Sequence, residues 1–249
     1  MRIKKRIKTF IEHLTGTRIF RRLPRGISVF NDIKGALPDY HMDTIFDVGA
    51  NVGKSAASYT ALFPASRIFC FEPVAETYHY LRRNMEGKEQ VCCFQLAMGA
   101  FSGKGTILLN SNLTMSCLVD EETVSLNNEN IRTEQVKILT IEEFCKVREI
   151  GHIGYLKIDV EGRDLDVLKG AEKMLIEQNI DFVEVEAGMN PQNERHVPFG
   201  TLKAYLERHN YLIFGIYEQF NEWPTKEPHL RRVNAVFISQ KMIGLHKCK

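Results

Sequence analysis

Four acids in this chain each close or follow a short apolar run. Asp47 lies in Thr44-Ile45-Phe46-Asp47-Val48, and Glu72 follows Arg67-Ile68-Phe69-Cys70-Phe71. Asp159 follows Tyr155-Leu156-Lys157-Ile158, and Glu186 ends Ile180-Asp181-Phe182-Val183-Glu184-Val185-Glu186. Carboxylates accept hydrogen bonds from hydroxyls, pair with ammonium groups and take protons from reacting oxygens. Between the first two lies a glycine-bearing turn, Gly49-Ala50-Asn51-Val52-Gly53. Strand, glycine turn, helix and strand, with an acid at the tip of the second strand, is a nucleoside-binding arrangement. In open parallel sheets ligands bind outside the carboxyl ends of the strands, and the acid takes the ribose hydroxyls.

Three nucleoside chemistries compete for the turn. A phosphate cradle needs four residues between its first glycine and Gly-Lys-Ser; only three separate Gly49 from Gly53-Lys54-Ser55. A dinucleotide turn needs glycines at its first, third and sixth positions, the third to admit a pyrophosphate. Here those places hold Gly49, Asn51 and Lys54, so a side chain fills the pyrophosphate position. A nucleoside without phosphates, S-adenosylmethionine, needs only close backbone approach and an acid for the ribose, and both are present.

Asp47-Val48-Gly49-Ala50-Asn51-Val52-Gly53, Phe71-Glu72-Pro73 and Leu156-Lys157-Ile158-Asp159-Val160-Glu161-Gly162 resemble the three signature blocks of FkbM-type methyltransferases. The resemblance covers roughly residues 43–239. It implies a Rossmann-like, S-adenosylmethionine-dependent O-methyltransferase acting on a hydroxyl of a sugar, glycan or secondary metabolite. The alternatives are a nicotinamide-dependent oxidoreductase on a similar sheet, or a non-enzymatic membrane-surface or scaffold protein on an inactive methyltransferase fold.

Under this reading Asp47, Gly49, Ala50, Asn51, Gly53, Glu72, Pro73, Ala97, Met98 and Asp159 form the cofactor site. Glu72 is the ribose ligand, Ala97 and Met98 line the adenine, and Asp47 orients the turn or meets the methionine amine. Asp159 and Glu186 are the catalytic candidates. Strand alternation puts Lys157 and Asp159 on one face, so Asp159 is a general base, a ligand to the methionine amine, or a partner of Lys157. Glu161 caps the next helix or joins the same cleft. Asp159 with Glu186 could hold a divalent cation, as in some O-methyltransferases of this fold, but two carboxylates are too few to assign a metal site. His196 and His209 stand in no catalytic spacing and read as surface or helix-face residues. Phe220 and Trp223 either wall an acceptor pocket or pack a hairpin.

The elements that must position these residues are visible as periodicity. Helices are expected over Lys54–Phe63, from Val74 to Met85 behind Pro73, over Ile141–Val147, from Leu165 to Leu175 with a break near Gly170, and over Phe199–His209. Strands are expected over Val91–Ala97, Thr106–Leu109, Val136–Leu139, Tyr155–Val160, Ile180–Glu186, Tyr211–Tyr217 and Val233–Ser239. Glu184 and Glu186 fall on one side of theirs. Ser111–Asn130 reads as a long polar loop. Alternating strands and helices give an α/β fold with a doubly wound, mostly parallel sheet. The resemblance adds an antiparallel C-terminal edge strand.

Length and composition suit one such domain, 41–249, preceded by a basic arm, 1–40. The chain has 249 residues, 44% hydrophobic and 26% charged, with a net charge of +2. Residues 1–25 hold nine Lys or Arg against Glu12, so they carry +8 and the remainder −6. An acidic body does not suit nucleic acid. Ile3, Ile7, Phe10, Ile11 and Leu14 fall on one face of a helix over 1–15, a pattern suited to peripheral membrane contact, to packing on the domain or to a second subunit. No apolar segment follows the basic start as in a secretory signal. No run approaches the ~18 apolar residues of a membrane span. The six cysteines form no Cys-x-x-Cys pair, and Cys70 reads as a core residue. The expected location is cytoplasmic, with the inner face of a membrane as the peripheral option.

Overall fold

The computed structural model describes residues 2–20, 23–109, 117–119, 132–193 and 195–247. It contains two compact units, Met1–Asp39 and Tyr40–Lys249. The first holds α1 (Arg2–Thr15) and α2 (Val29–Ala36). Ser28 caps α2, its side chain accepting from the Asn31 N–H.

The second unit is built on a seven-stranded sheet. Its strands are β1 (Thr44–Val48), β2 (Arg67–Phe71), β3 (Val91–Phe94), β8 (Ile153–Ile158), β9 (Ile180–Gly188), β10 (Tyr211–Asn221) and β11 (Leu230–Ser239), in the order β10-β11-β9-β8-β1-β2-β3. Pairing is parallel from β3 to β9. β11 runs antiparallel to both β9 and β10. The expected antiparallel strand is therefore β11, one place in from the edge, and β10 forms the edge itself. The helices are α3 (Lys54–Leu62), α4 (Ala75–Asn84), α5 (Ile141–Val147), α6 (Asp164–Lys169), α7 (Glu172–Ile176), α8 (Phe199–Arg208) and α9 (Gln240–Lys247).

Every residue of β1, β8 and β9 is buried, as in parallel sheets covered on both faces. The acids of β9 are thus enclosed rather than presented on an open side. Phe46, Phe69, Phe71 and Phe94 surround Phe144 of α5, with ring centroids 4.8 Å apart for Phe71–Phe144 and 5.0 Å for Phe94–Phe144. Edge-on rings at that range pack favourably beyond the area they bury. This cluster fixes the height of β1 and β2, and so of the turn after β1.

The strand expected over Val91–Ala97 divides. β3 is the last strand of its sheet, so the backbone past Phe94 needs other partners. β7 (Arg132–Leu139) supplies them by pairing with β4 (Ala97–Met98). β7 also pairs with β5 (Gly103–Leu109), and β5 with β6 (Cys117–Val119), completing a second sheet of order β4-β7-β5-β6. Pairing along its whole length draws Gly103–Gly105 into strand despite turn-forming composition. The loop expected over 111–130 lies outside the described residues, apart from β6. The helical break falls at Gly170, where a Cβ would stand 2.0 Å from the Gly99 carbonyl oxygen.

Candidate active site

A cleft of ≈ 820 Å³ opens at the carboxyl ends of the parallel strands. Its floor is the turn after β1, its sides are Glu72-Pro73 after β2 and Asp159–Glu161 after β8, and Ala97 and Met98 of the second sheet close one wall. The opposite wall comes from Glu186, His196, Arg231 and Arg232.

The turn is tied down by backbone bonds. The N–H groups of Gly49 and Ala50 both donate to the Phe71 carbonyl at 3.0 Å. Gly49 has φ +80, and a Cβ there would lie 1.9 Å from the Asp159 carbonyl oxygen, so only glycine lets β1 and β8 end side by side. Glu72 completes the staple. Its Oε2 accepts from the Asn51 N–H at 3.1 Å and its Oε1 from the Val74 N–H at 3.0 Å. Burial pushes its carboxyl up to about 7, while the two N–H groups pull it down. Each oxygen retains one lone pair beyond these bonds.

A row of buried charge runs under the cleft. Asp47, Lys157 and Glu184 are register neighbours on β1, β8 and β9. Lys157 Nζ lies 3.9 Å from Asp47 Oδ1 and 2.9 Å from Asp159 Oδ2. Burial would lower the Lys157 pKa, but Asp159, Asp47 and Glu184 outweigh it and raise the value. Asp47 is fully enclosed, and burial pushes its carboxyl up to about 6 against the pull of Lys157. Burial works to raise Asp159 as well, yet Lys157 prevails and holds it below the ordinary carboxylate range. The Asp159 side chain remains 36% exposed. Glu184 accepts from the Tyr155 hydroxyl and from Asn234 Nδ2 at 2.7 Å.

At the other end, Glu186 Oε2 is 2.6 Å from His196 Nε2, and Oε1 pairs with Arg232. His196 Nδ1 is 3.0 Å from Asn193 Oδ1. The Arg232 guanidinium stacks on Phe220 at 4.3 Å, and that of Arg231 lies 4.9 Å from the Trp223 ring. Arg231 also bonds Glu222 at 2.9 and 3.1 Å.

Of the residues predicted from sequence, Gly49, Ala50, Asn51, Glu72, Pro73, Ala97, Met98, Asp159 and Glu186 line one cleft. Asp47 and Gly53 do not line it: Asp47 lies beneath Lys157, and Gly53 precedes α3. Trp223 lines the cleft. His209 stands elsewhere, bonded to the Tyr205 carbonyl at 2.8 Å. His196 is the residue that sequence reasoning passed over; its signal was Asn193-x-x-His196, shortly after the strand carrying Glu186.

Comparison with known proteins bears on this geometry. The methyltransferase FkbM domain model matches residues 47–213. The chain is 28% identical over 151 residues to the hexuronic acid methyltransferase AglP of Haloferax volcanii, covering 61% of this chain and 59% of that protein. It is 25% identical to methyltransferase 1 of Beauveria bassiana, covering 68% and 72%, and 22% identical to the 2-O-methyltransferase NoeI of Sinorhizobium fredii, covering 56% and 62%. The match thus spans less than two thirds of the Haloferax and Sinorhizobium relatives. The glycine turn, Glu72, Asp159, Glu186 and His196 of the cleft fall inside the matched segment, while Trp223, Arg231 and Arg232 lie beyond it, and the chain belongs to the FkbM methyltransferase domain family, with S-adenosylmethionine as its cofactor.

Proposed function

We propose that the cleft carries out O-methylation. The observation that supports this most directly is Glu72: buried, stapled by two backbone N–H groups, and left with one lone pair on each oxygen. That is the donor-free surface two ribose hydroxyls require. When bound, S-adenosylmethionine supplies a methyl group on a cationic sulfur, open to displacement by an oxygen nucleophile.

Glu72 holds the ribose, Gly49, Ala50 and Asn51 present close backbone, and Pro73, Ala97 and Met98 flank the adenine. Asp159, kept ionised by Lys157, suits the methionine ammonium better than it suits proton abstraction, because a carboxylate with a depressed pKa is a weak base. Asp47 acts on the site through Lys157, and Gly53 through the start of α3. Glu186 stands at the acceptor side, where the hydroxyl proton must go. Asn51 occupies the position a dinucleotide would need free, which disfavours the nicotinamide reading, and a cleft this rich in paired charge disfavours an inert scaffold. The names of two relatives, a hexuronic acid methyltransferase and a 2-O-methyltransferase, support a sugar hydroxyl as acceptor. The test is calorimetry with S-adenosylhomocysteine against NAD, followed by transfer of labelled methyl to a panel of methyl glycosides. Binding of NAD in place of S-adenosylhomocysteine would overturn the reading.

For the remainder of the chain we take residues 1–40 as an arm and 41–249 as the methyltransferase domain, in a cytoplasmic protein able to self-associate. Among the described residues no helix is long and apolar enough to cross a membrane. Ile7, Phe10, Ile11 and Leu14 of α1 are exposed beside basic residues, which supports peripheral contact of residues 1–25 with an anionic membrane. Full-length protein should co-sediment with anionic vesicles and release with salt. Failure to co-sediment removes the membrane contact.

A further inference from the structure

Among the described residues five carboxylates line the cleft: Glu72, Asp159, Glu161, Glu186 and Glu218. Four of them are engaged. Glu72 accepts from two backbone N–H groups, and Asp159 is held by Lys157. Glu186 lies between His196 and Arg232, and its Oε2, 2.6 Å from His196 Nε2, already shares a proton with that nitrogen. Glu218 accepts from Asn234 Nδ2 at 3.3 Å. Glu161 makes no hydrogen bond or ion pair with any described residue. Its side chain is half-buried, so its lone pairs face the cleft uncommitted.

The backbone fixes that carboxylate in place. Residues 160–163 form a tight turn in which the Arg163 N–H donates to the Val160 carbonyl at 3.3 Å. The two central residues, Glu161 and Gly162, have φ +49 and +91. That is the pattern of a type I′ turn, whose central places usually go to Gly, Asn or Asp. Gly162 presses on the loop after β9, where a Cβ would stand 2.6 Å from the Arg195 carbonyl oxygen. A long acid beside it does nothing for the turn, and strained non-glycine residues collect at active sites. The charged neighbours of Glu161 are Asp159 on one side and His196, Arg195 and Arg232 on the other. It therefore stands between the residue assigned to the methionine ammonium and the wall assigned to the acceptor.

We propose that Glu161 is the catalytic base of this site, its carboxylate taking the acceptor's hydroxyl proton as the methyl group is transferred. This rests on the O-methyltransferase reading of the cleft. As the new C–O bond forms, the electron pair of the breaking C–S bond stays on sulfur, and the hydroxyl proton passes to a Glu161 oxygen. The sulfonium charge is lost, the carboxylate becomes a neutral acid, and the acid returns its proton to solvent. The surroundings suit the task. Burial, then Asp159 at the end of β8, raise the Glu161 carboxyl above the ordinary glutamate value. His196 and Arg195 in the loop after β9 and Arg232 on β11 pull it down. A raised carboxylate is a stronger base than Asp159, which Lys157 holds low.

Three measurements test the assignment. Carboxyl ¹³C NMR on the wild-type protein, with the Glu161 signal assigned by its loss in Glu161→Gln, needs no acceptor. The signal should titrate above the ordinary glutamate range; titration at or below it overturns the proposal. In turnover with saturating labelled methyl donor and methyl glycosides, Glu161→Gln should lower kcat by about 10²–10⁴-fold with S-adenosylhomocysteine affinity unchanged. The wild-type kcat/KM for the acceptor should rise with pH through the Glu161 titration and then level, and the variant should lose that rise. Lost S-adenosylhomocysteine affinity would make Glu161 a cofactor ligand instead of a base. Glu161→Asn suits the turn better, so it should melt no lower than wild type and be as slow as Glu161→Gln; a lower melting temperature would make Glu161 a structural residue. Wild-type kcat and pH profile in Glu161→Gln would refute Glu161 while leaving O-methylation intact. A wild-type protein that binds no S-adenosylhomocysteine would instead refute the parent reading.

Discussion

Glu72→Gln separates a ribose ligand from a mere staple. The carboxylate offers two acceptor oxygens, one to the Asn51 N–H at 3.1 Å and one to the Val74 N–H at 3.0 Å. Glutamine keeps one acceptor and turns an NH₂ toward the other N–H, so a donor faces a donor. The unmet group should cost about 1–3 kcal/mol of folding stability. Cofactor binding loses more specifically: an ionised acceptor for a hydroxyl is worth about 1.5–3 kcal/mol. At about 1.4 kcal/mol per decade, S-adenosylhomocysteine should bind roughly 10- to 100-fold more weakly. There is a second signature. With the free carboxyl pushed up to about 7, the accepting form dominates at pH 8 and is the minor form at pH 6. Wild-type affinity should therefore fall by about tenfold between those pH values, and the glutamine variant should show no such slope. Calorimetry across that range, paired with thermal unfolding, reads both effects. A folded variant with wild-type affinity and wild-type slope would remove Glu72 from the ribose site.

Three further perturbations test neighbouring parts. Asp159→Asn should weaken S-adenosylhomocysteine binding by about 1.5–3 kcal/mol, measured by calorimetry; intact affinity with lost turnover would make Asp159 a base instead of an ammonium ligand. Asp164 is fully buried, and burial, then Asp159, raise its carboxyl from 3.8 to about 8. A folded-state pKa above the unfolded one gives stability that is complete below pH ~4 and is lost as pH rises through about 8, at about 1.4 kcal/mol per unit. Asp164→Asn should accordingly flatten the pH dependence of the melting temperature between about pH 5 and 8 and raise the melting temperature at the alkaline end. Gly49→Ala, which would place a Cβ 1.9 Å from the Asp159 carbonyl oxygen at φ +80, should destabilise by more than about 3 kcal/mol in urea unfolding.

The Glu72 and Asp159 side of the cleft was legible because parallel strands make it so. In an open α/β sheet the carboxyl ends of the strands define one edge, so an acid just past an apolar run is already placed there without knowledge of the packing. Glu72 and Asp159 could be found that way, and Gly49 by the close approach a turn between such strands demands. Asp47 shows where that logic is too coarse. It belongs to the same turn block, yet it sits inside β1 rather than beyond it, and parallel pairing sets it beside Lys157 of β8. It reaches the site only through that lysine. The second sheet escaped notice for a related reason. Its pairings join Ala97 to Ile138 and Gly103 to Ile138, contacts between distant residues that no local period records.

The Glu186 side of the cleft joins β9 and the loop directly after it to β11, which follows only after α8 and β10. Glu186 comes from β9, Asn193 and His196 from the loop after it, and Arg232 from β11. They meet because β11 inserts antiparallel beside β9, pairing Asn234 with Glu186 and Arg232 with Gly188. Had β10 paired with β9 directly, Arg232 would have no place against Glu186, and Asn193 would lose the Arg231 carbonyl that orients its amide. Strand order therefore decides which groups face His196. A lone histidine in a loop reads as ordinary surface because its orientation is set by an asparagine, that asparagine by a strand, and that strand by a crossover. The Glu72 and Asp159 side of the cleft is written in strand ends, and the Glu186 and His196 side in the insertion of β11.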